Sequence, residues 1–272
     1  MQTGTCRLCL TPDVALHKSH YMPQGLHKIV QGRGPTAIAV KGTVAVLSSR
    51  QANTPLLCVE CEKRFFQRGE DWTIKNCWRS PTQFRLLDSL ERSPTPWTNG
   101  DVRVYEARKV PGVDIDKIVY FAASVFWRGA AHAWNDPREK APGGGPANID
   151  FGAHLEPLRR FLMDGGPFPD GMYLSTWVED RRDAISNMHL VPPFMAFDQG
   201  YDIFRCFIPG LTFTLWIGDV GGEIKRTCTA RAGLLVITSR LRLREKEIHT
   251  RVRESQRKGK LADMSAARKA ET

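Results

Sequence analysis

The stretches Cys6-Arg-Leu-Cys9 and Pro55-Leu-Leu-Cys58-Val-Glu-Cys61-Glu62 decide how the first quarter of this chain is read. Each holds two cysteines with two residues between them. A tight turn of that length points both sulfurs the same way, so two such pairs can close one tetrahedral site at about 2.3 Å per zinc–sulfur bond. The chain has seven cysteines, an odd number that a full set of disulfides cannot use. Four of them at metal spacing favour a structural zinc held by Cys6, Cys9, Cys58 and Cys61, in a reducing compartment. The other three, Cys77, Cys206 and Cys228, lie in apolar surroundings and read as ordinary buried thiols.

The segments between and around the pairs set the local order. Val14-Ala-Leu16 and Ser19-His20-Tyr-Met-Pro23 form a short extended run that Pro23 ends. Two β-branched runs, Thr36–Val40 and Thr43–Leu47, are separated by Lys41-Gly42, which predicts a hairpin. The second cysteine pair opens a helix, and Phe65 and Phe66 are expected to pack on the first pair. The chain stays helical from Gly69 to Trp78. Ser93-Pro-Thr-Pro-Trp97-Thr-Asn-Gly100 then reads as a turn-forming linker.

Beyond the linker, Ile118–Trp134 is apolar on nearly all sides, as the buried centre of a domain is, with Asp114 or Asp116 as its N-cap. Arg128 and His132 share a face of it, as an exposed edge, a hydrogen-bonded core pair or the lining of a site. Pro142–Pro146 is a loop, and a short helix at His154–Met163 carries Leu155, Leu158 and Leu162 at helical spacing. Strands follow at Tyr173–Val178, Met188–Phe197, Ile203–Ile208, Leu211–Ile217 and Gly233–Thr238, with a hairpin turn at Pro209-Gly210. The fold class expected is α+β: a zinc-bound module over 1–80, a larger α+β domain with an antiparallel sheet over 81–239, and a basic helical tail over 240–272. In that tail Glu247 and Arg251 stand in the favourable order for a solvated helix.

Charge is concentrated at the two ends. Residues 1–80 carry eleven Lys/Arg against five Asp/Glu, a balance of +6, and residues 240–272 carry the same numbers. The middle has seventeen against nineteen, or −2, within a net charge of +10. Basic ends around a near-neutral middle suit a polyanion such as nucleic acid, or simply a solubilising surface. No apolar run approaches the roughly 20 residues that span a bilayer, and the first residues do not read as a signal peptide, so a cytoplasmic protein without membrane partners is expected.

Pair, strands, then a helix carrying the second pair is the order of a treble clef. With Ser-His-x-x-Pro at Ser19–Pro23 and Leu-Leu-Cys-x-x-Cys-Glu at 56–62, residues 6–70 resemble the HNH endonucleases, whose ββα-metal active site sits on such a module. They are also similar to a group of uncharacterised bacterial proteins with the same two motifs. The resemblance implies that His20 is the general base, that Asn53 helps hold its ring, and that Glu62 binds a divalent cation, Mg²⁺ or Mn²⁺. Ser19 stands where the family usually has an acidic or histidine ligand. The implied activity is hydrolysis of nucleic-acid phosphodiester bonds, DNA foremost. The competing expectation is a non-catalytic zinc-binding protein that recognises nucleic acid or a protein partner. In that case His20 bonds within the module, and Glu62 pairs on the surface with Lys18, Lys63 or Arg64. His17 and His27 are expected to be solvent-exposed.

Overall fold

The computed structural model describes residues 2–31, 37–41, 44–48, 51–80, 82–94, 97–99, 102–132, 134, 149–180, 190–198, 200–238, 254–260 and 262–263. Its N-terminal part begins with β1 (Gln2–Gly4) and β2 (Val14–His20), which pair antiparallel on either side of the first cysteine pair. Helix α1 (Gln24–Gln31) follows Pro23, and β3 (Ala37–Lys41) and β4 (Val44–Ser48) pair antiparallel, as the β-branched runs predict. Strand β5 (Asn53–Leu57) returns to β2 and closes a three-stranded sheet in the order β1-β2-β5.

Helix α2 (Val59–Phe65) starts directly after Cys58 and runs through a π turn, Phe66–Glu70, into α3 (Asp71–Asn76). The π turn is marked by the Asp71 N–H bonding five residues back, to the Phe66 carbonyl. Phe65 is fully buried and packs edge-on against Tyr120 and Trp127 of a later helix. Phe66, expected to pack on the first cysteine pair, is instead 51% exposed. An aromatic one residue on from a helix's buried stripe turns outward by about 100°.

After α4 (Arg85–Glu91) come β6 (Trp97–Asn99) and β7 (Val102–Glu106). Trp97–Asn99 is therefore an edge strand, not part of a linker, because its pairing with β7 supplies partners for its backbone. Helix α5 (Ile115–Ala131) is capped as expected, with the Asp114 carboxylate accepting the Lys117 N–H at 3.1 Å. From Ile118 to Gly129 every residue of it is buried. Each fully enclosed Phe or Trp on it, such as Phe121, Phe126 and Trp127, contributes about 2–3 kcal/mol of burial.

Helix α6 (Leu155–Asp164), strands β8 (Met172–Glu179), β9 (Leu190–Asp198), β10 (Tyr201–Ile208) and β11 (Leu211–Gly218), short helices α7 (Gly222–Thr227) and α8 (Thr229–Ala232), and β12 (Leu234–Thr238) complete the larger part. They build a seven-stranded sheet in the order β6-β7-β12-β8-β11-β10-β9. All its pairings are antiparallel except β12 with β8. β11 is buried from Leu211 to Ile217, as a central strand covered on both faces must be. Phe213 meets Phe121 of α5 at 5.7 Å between ring centroids, whereas Trp216 joins a small separate cluster with Ile203 and Val220.

One hydrophobic cluster runs from Cys6 and Leu8 through α5 to Ile237 of the sheet. At the far end, β13 (Gln256–Arg257) pairs with β4 where a tail helix is expected. The Pro142–Pro146 loop, Glu247 and Arg251 lie outside the described residues. Among the described residues, no helix is long and apolar enough to cross a membrane.

Candidate metal centre and the histidine beside it

The first cysteine pair sits in a turn pinned at both ends. The Leu10 N–H bonds to the Cys6 carbonyl at 2.9 Å, and the Cys6 N–H bonds to Thr11 at 3.0 Å. Closing that turn places Leu10 at φ 62°, a left-handed conformation that costs a residue with a Cβ about 1 kcal/mol. The turn is docked on the end of β5 by the Arg7 N–H, which bonds to the Leu56 carbonyl at 3.1 Å. Arg159 of α6 donates to the Leu8 carbonyl from the other side.

The four expected cysteines do converge. The sulfurs of Cys6, Cys9, Cys58 and Cys61 all lie within 4.8 Å of one another, with Cys9 and Cys58 at 3.9 Å. A zinc tetrahedron with bonds of about 2.3 Å has edges of about 3.8 Å, so the set is near closure around one ion. The Cys58 N–H points at the Cys6 sulfur at 3.3 Å. The Cys61 thiol beside it, together with such N–H groups, lowers the Cys6 pKa, and the same contact raises that of Cys61. Hydrogen bonds of this kind favour the thiolate, which is the form that binds metal. Cys77, Cys206 and Cys228 are buried apart from the cluster, and burial pushes both Cys77 and Cys206 up to about 12.

His20 ends β2, and its placement depends on a bulge. The register between β2 and β5 shifts between His17 and Lys18. Both of those side chains are exposed, so the alternation is reset and Ser19 turns fully inward. His20 is half-buried, with Asn53 as its cross-strand partner on β5. The Asn53 amide donates to the Gln51 carbonyl at 3.0 Å, and its side chain is exposed.

Glu62, in the first turn of α2, lies on the same corner and interacts electrostatically with His20. Burial lowers the His20 pKa, the Glu62 charge opposes that, and the Arg128 charge adds to it. His27 of α1, expected at the surface, is instead only 8% exposed, and burial and His20 both lower its pKa. The amphipathic turn of α1 carries it inward with Leu26.

Glu62 meets Ser19 and Arg128 instead of Lys18, Lys63 or Arg64, the three partners expected on the surface. One of its oxygens accepts the Ser19 hydroxyl, and the other faces the Arg128 guanidinium at 3.9 Å. Arg128 comes from α5 and is 2% exposed. Its Nη2 also bonds to Glu70 at 2.6 Å, and its guanidinium carbon lies 4.6 Å above the centre of the Phe65 ring. Burial raises the Glu70 pKa, and Arg128 pulls it back down. Removing one member of such a buried pair costs about 3–5 kcal/mol, because the other charge is left uncompensated.

The π turn makes this convergence possible. Glu62 and Glu70 are eight residues apart, which leaves them about 80° apart on an unbroken α-helix. The π turn absorbs one residue, which brings the two carboxylates within about 20° of one line. His132, four residues on from Arg128, is half-buried, with a pKa lowered by burial and by Arg7.

The oxygens of Glu62 are engaged from within the protein. Mg²⁺ needs a near-octahedral set of oxygens, and the two carboxylates here, Glu62 and Glu70, both face the buried Arg128 guanidinium. Among the described residues, the four cysteines form the one group of metal-binding side chains that converges. The sequence offered Arg128 as sharing a face with His132, and it is buried; nothing local indicated that it meets Glu62 and Glu70.

Compared with known proteins, the chain matches no family model, no curated protein and no solved structure.

Proposed function

We propose that this protein is a nucleic-acid phosphodiesterase of HNH-like design, in which a treble-clef module held by zinc at Cys6, Cys9, Cys58 and Cys61 presents His20 as general base. One observation supports it above the others. His20 sits at the end of β2, opposite Asn53 on β5 and in electrostatic contact with Glu62 on the helix that carries Cys58 and Cys61. Two paired strands and the helix that follows Cys58 carry the three candidate residues.

The chemistry follows from the state of the histidine. Its pKa lies below the ordinary value of 6.5, so the imidazole is neutral at pH 7 and can accept a proton. In the reaction a water oxygen bonds to phosphorus while its proton passes to His20, and the phosphorus–oxygen bond to the leaving sugar breaks. The leaving oxygen takes a proton from solvent. Zinc with four thiolates has no open position and serves as scaffold. The basic balance of residues 1–80 suits a nucleic-acid substrate, with DNA as the first to test.

The test is cleavage of a supercoiled plasmid by wild type and by His20→Ala, with the zinc content of both measured. The expected result is at least about a hundredfold loss in the variant with zinc retained, the usual scale for removing a general base. Equal cleavage by both removes His20 from the mechanism. A second reading, a non-catalytic zinc-dependent binding protein, is favoured by one feature: Glu62 is engaged by Ser19 and Arg128 and not left open. Nucleic acid bound without cleavage by either protein supports it.

A further inference from the structure

We propose that Arg128 is a positioning residue that takes the place of a divalent cation at Glu62, so that the His20 site works without Mg²⁺ or Mn²⁺. The proposal rests on the reading of His20 as a base and departs from the cation expected beside it. Four observations carry it.

First, the Glu62 carboxylate already faces a cation from within the protein. Arg128 stands 3.9 Å from one carboxylate oxygen, and the Ser19 hydroxyl occupies the other. A cation entering there must displace a hydroxyl and stand beside a guanidinium. Second, Arg128 cannot swing away to make room. It is 2% exposed, bonded to Glu70 at 2.6 Å and stacked on Phe65 at 4.6 Å. Third, the position that could have supplied a further ligand carries Ser19, fully buried with its hydroxyl committed to Glu62. Fourth, the backbone is shaped for this network. The π turn at Phe66–Glu70 turns Glu70 onto the side of Glu62, and Gly69 lets that turn lie directly on the backbone of α5. Without a Cβ there, the helix carrying Arg128 can approach closely enough to reach both carboxylates.

The consequence is a division of labour. Arg128 arrives from the larger part of the chain and holds Glu62 in place, and Glu62 in turn faces His20. Phosphodiester chemistry then depends on α5 being docked, and not on the supply of a divalent ion.

Two measurements test this on the full zinc-loaded chain. The first is Mn²⁺ binding, by electron paramagnetic resonance, to wild type, Arg128→Met and Arg128→Lys. Wild type and Arg128→Lys are expected to bind no Mn²⁺ tighter than about millimolar, whereas Arg128→Met, with two carboxylates freed, gains at least about tenfold in affinity. Wild-type binding near ten micromolar that is lost in Glu62→Gln overturns the proposal, and that arm needs no Arg128 variant to fold. The second is plasmid cleavage in metal-depleted buffer with and without added Mg²⁺, zinc content being checked in both. A change within about twofold is expected, and stimulation beyond about tenfold overturns the proposal. Absence of cleavage in every buffer defeats the phosphodiesterase reading, and the Mn²⁺ arm then decides the role of Arg128.

Discussion

Gly69→Ala tests the contact on which the Arg128 arrangement depends. A Cβ added at Gly69 meets the Phe121 nitrogen at 2.7 Å, the Phe121 Cα at 2.9 Å and the Lys117 carbonyl at 3.1 Å. All three are backbone atoms of α5, so no side chain can rotate aside. Ordinary contact begins at 3.4 Å, and the two helical segments must therefore separate by about 0.7 Å. Overpacking of this kind costs about 1–3 kcal/mol, and backbone on both sides argues for the upper figure. Alanine returns about 1 kcal/mol of helix propensity over glycine. The net loss is about 2 kcal/mol, which for a chain of this size lowers the melting temperature by about 4–8 °C. The assay is a thermal melt of zinc-saturated protein, with Gly222→Ala as control. A Cβ at Gly222 meets nothing closer than Arg226 at 3.6 Å, and no loss is expected there. Gly69→Ala melting at or above wild type would refute the close approach. The convergence of Glu62 and Glu70 on Arg128 would lose its backbone explanation with it.

Two further outcomes concern the metal and the pH dependence. Purified protein is expected to hold one zinc per chain by elemental analysis. Cys61→Ser should lose it along with several kcal/mol of stability, whereas Cys77→Ser, Cys206→Ser and Cys228→Ser should keep it; zinc retained by Cys61→Ser counts against the four-sulfur site. His20, His27 and His132 all have pKa values lowered chiefly by burial, with His20 adding to the effect at His27 and Arg7 at His132. The unfolded chain therefore binds more protons than the folded one just below the ordinary value of 6.5. Stability is full above that pH and is lost as pH falls through the lowered values. Melting temperature should fall on acidification below 6.5, less steeply in His27→Gln; a rise over that window sinks the account.

Much of the fold was legible because its signals are local. Cysteine spacing depends only on how a short turn aims two sulfurs, and the four cysteines named by it do cluster. The cap at Asp114, the apolar span of α5 and the β-branched runs of β8 to β12 likewise depend on neighbours in sequence. Even Trp97–Asn99 was misread for a local reason: proline-rich flanks resemble a linker until a partner strand supplies the ladder.

What the tertiary structure alone decided is the company of the histidine. A bulge between His17 and Lys18 turned Ser19 inward, and a π turn brought Glu70 into line with Glu62. Both are one-residue changes of register, and a composition or a period cannot carry them. Arg128 lies 66 positions from Glu62 and 58 from Glu70, so their meeting required α5 to dock against the cysteine-bearing helix. The sequence by itself determined a cluster of four thiols that could hold a metal, since spacing is enough to aim sulfurs. That the carboxylate beside His20 faces an arginine was decided by packing, because a buried charge takes its partner from whatever the folded chain brings within reach.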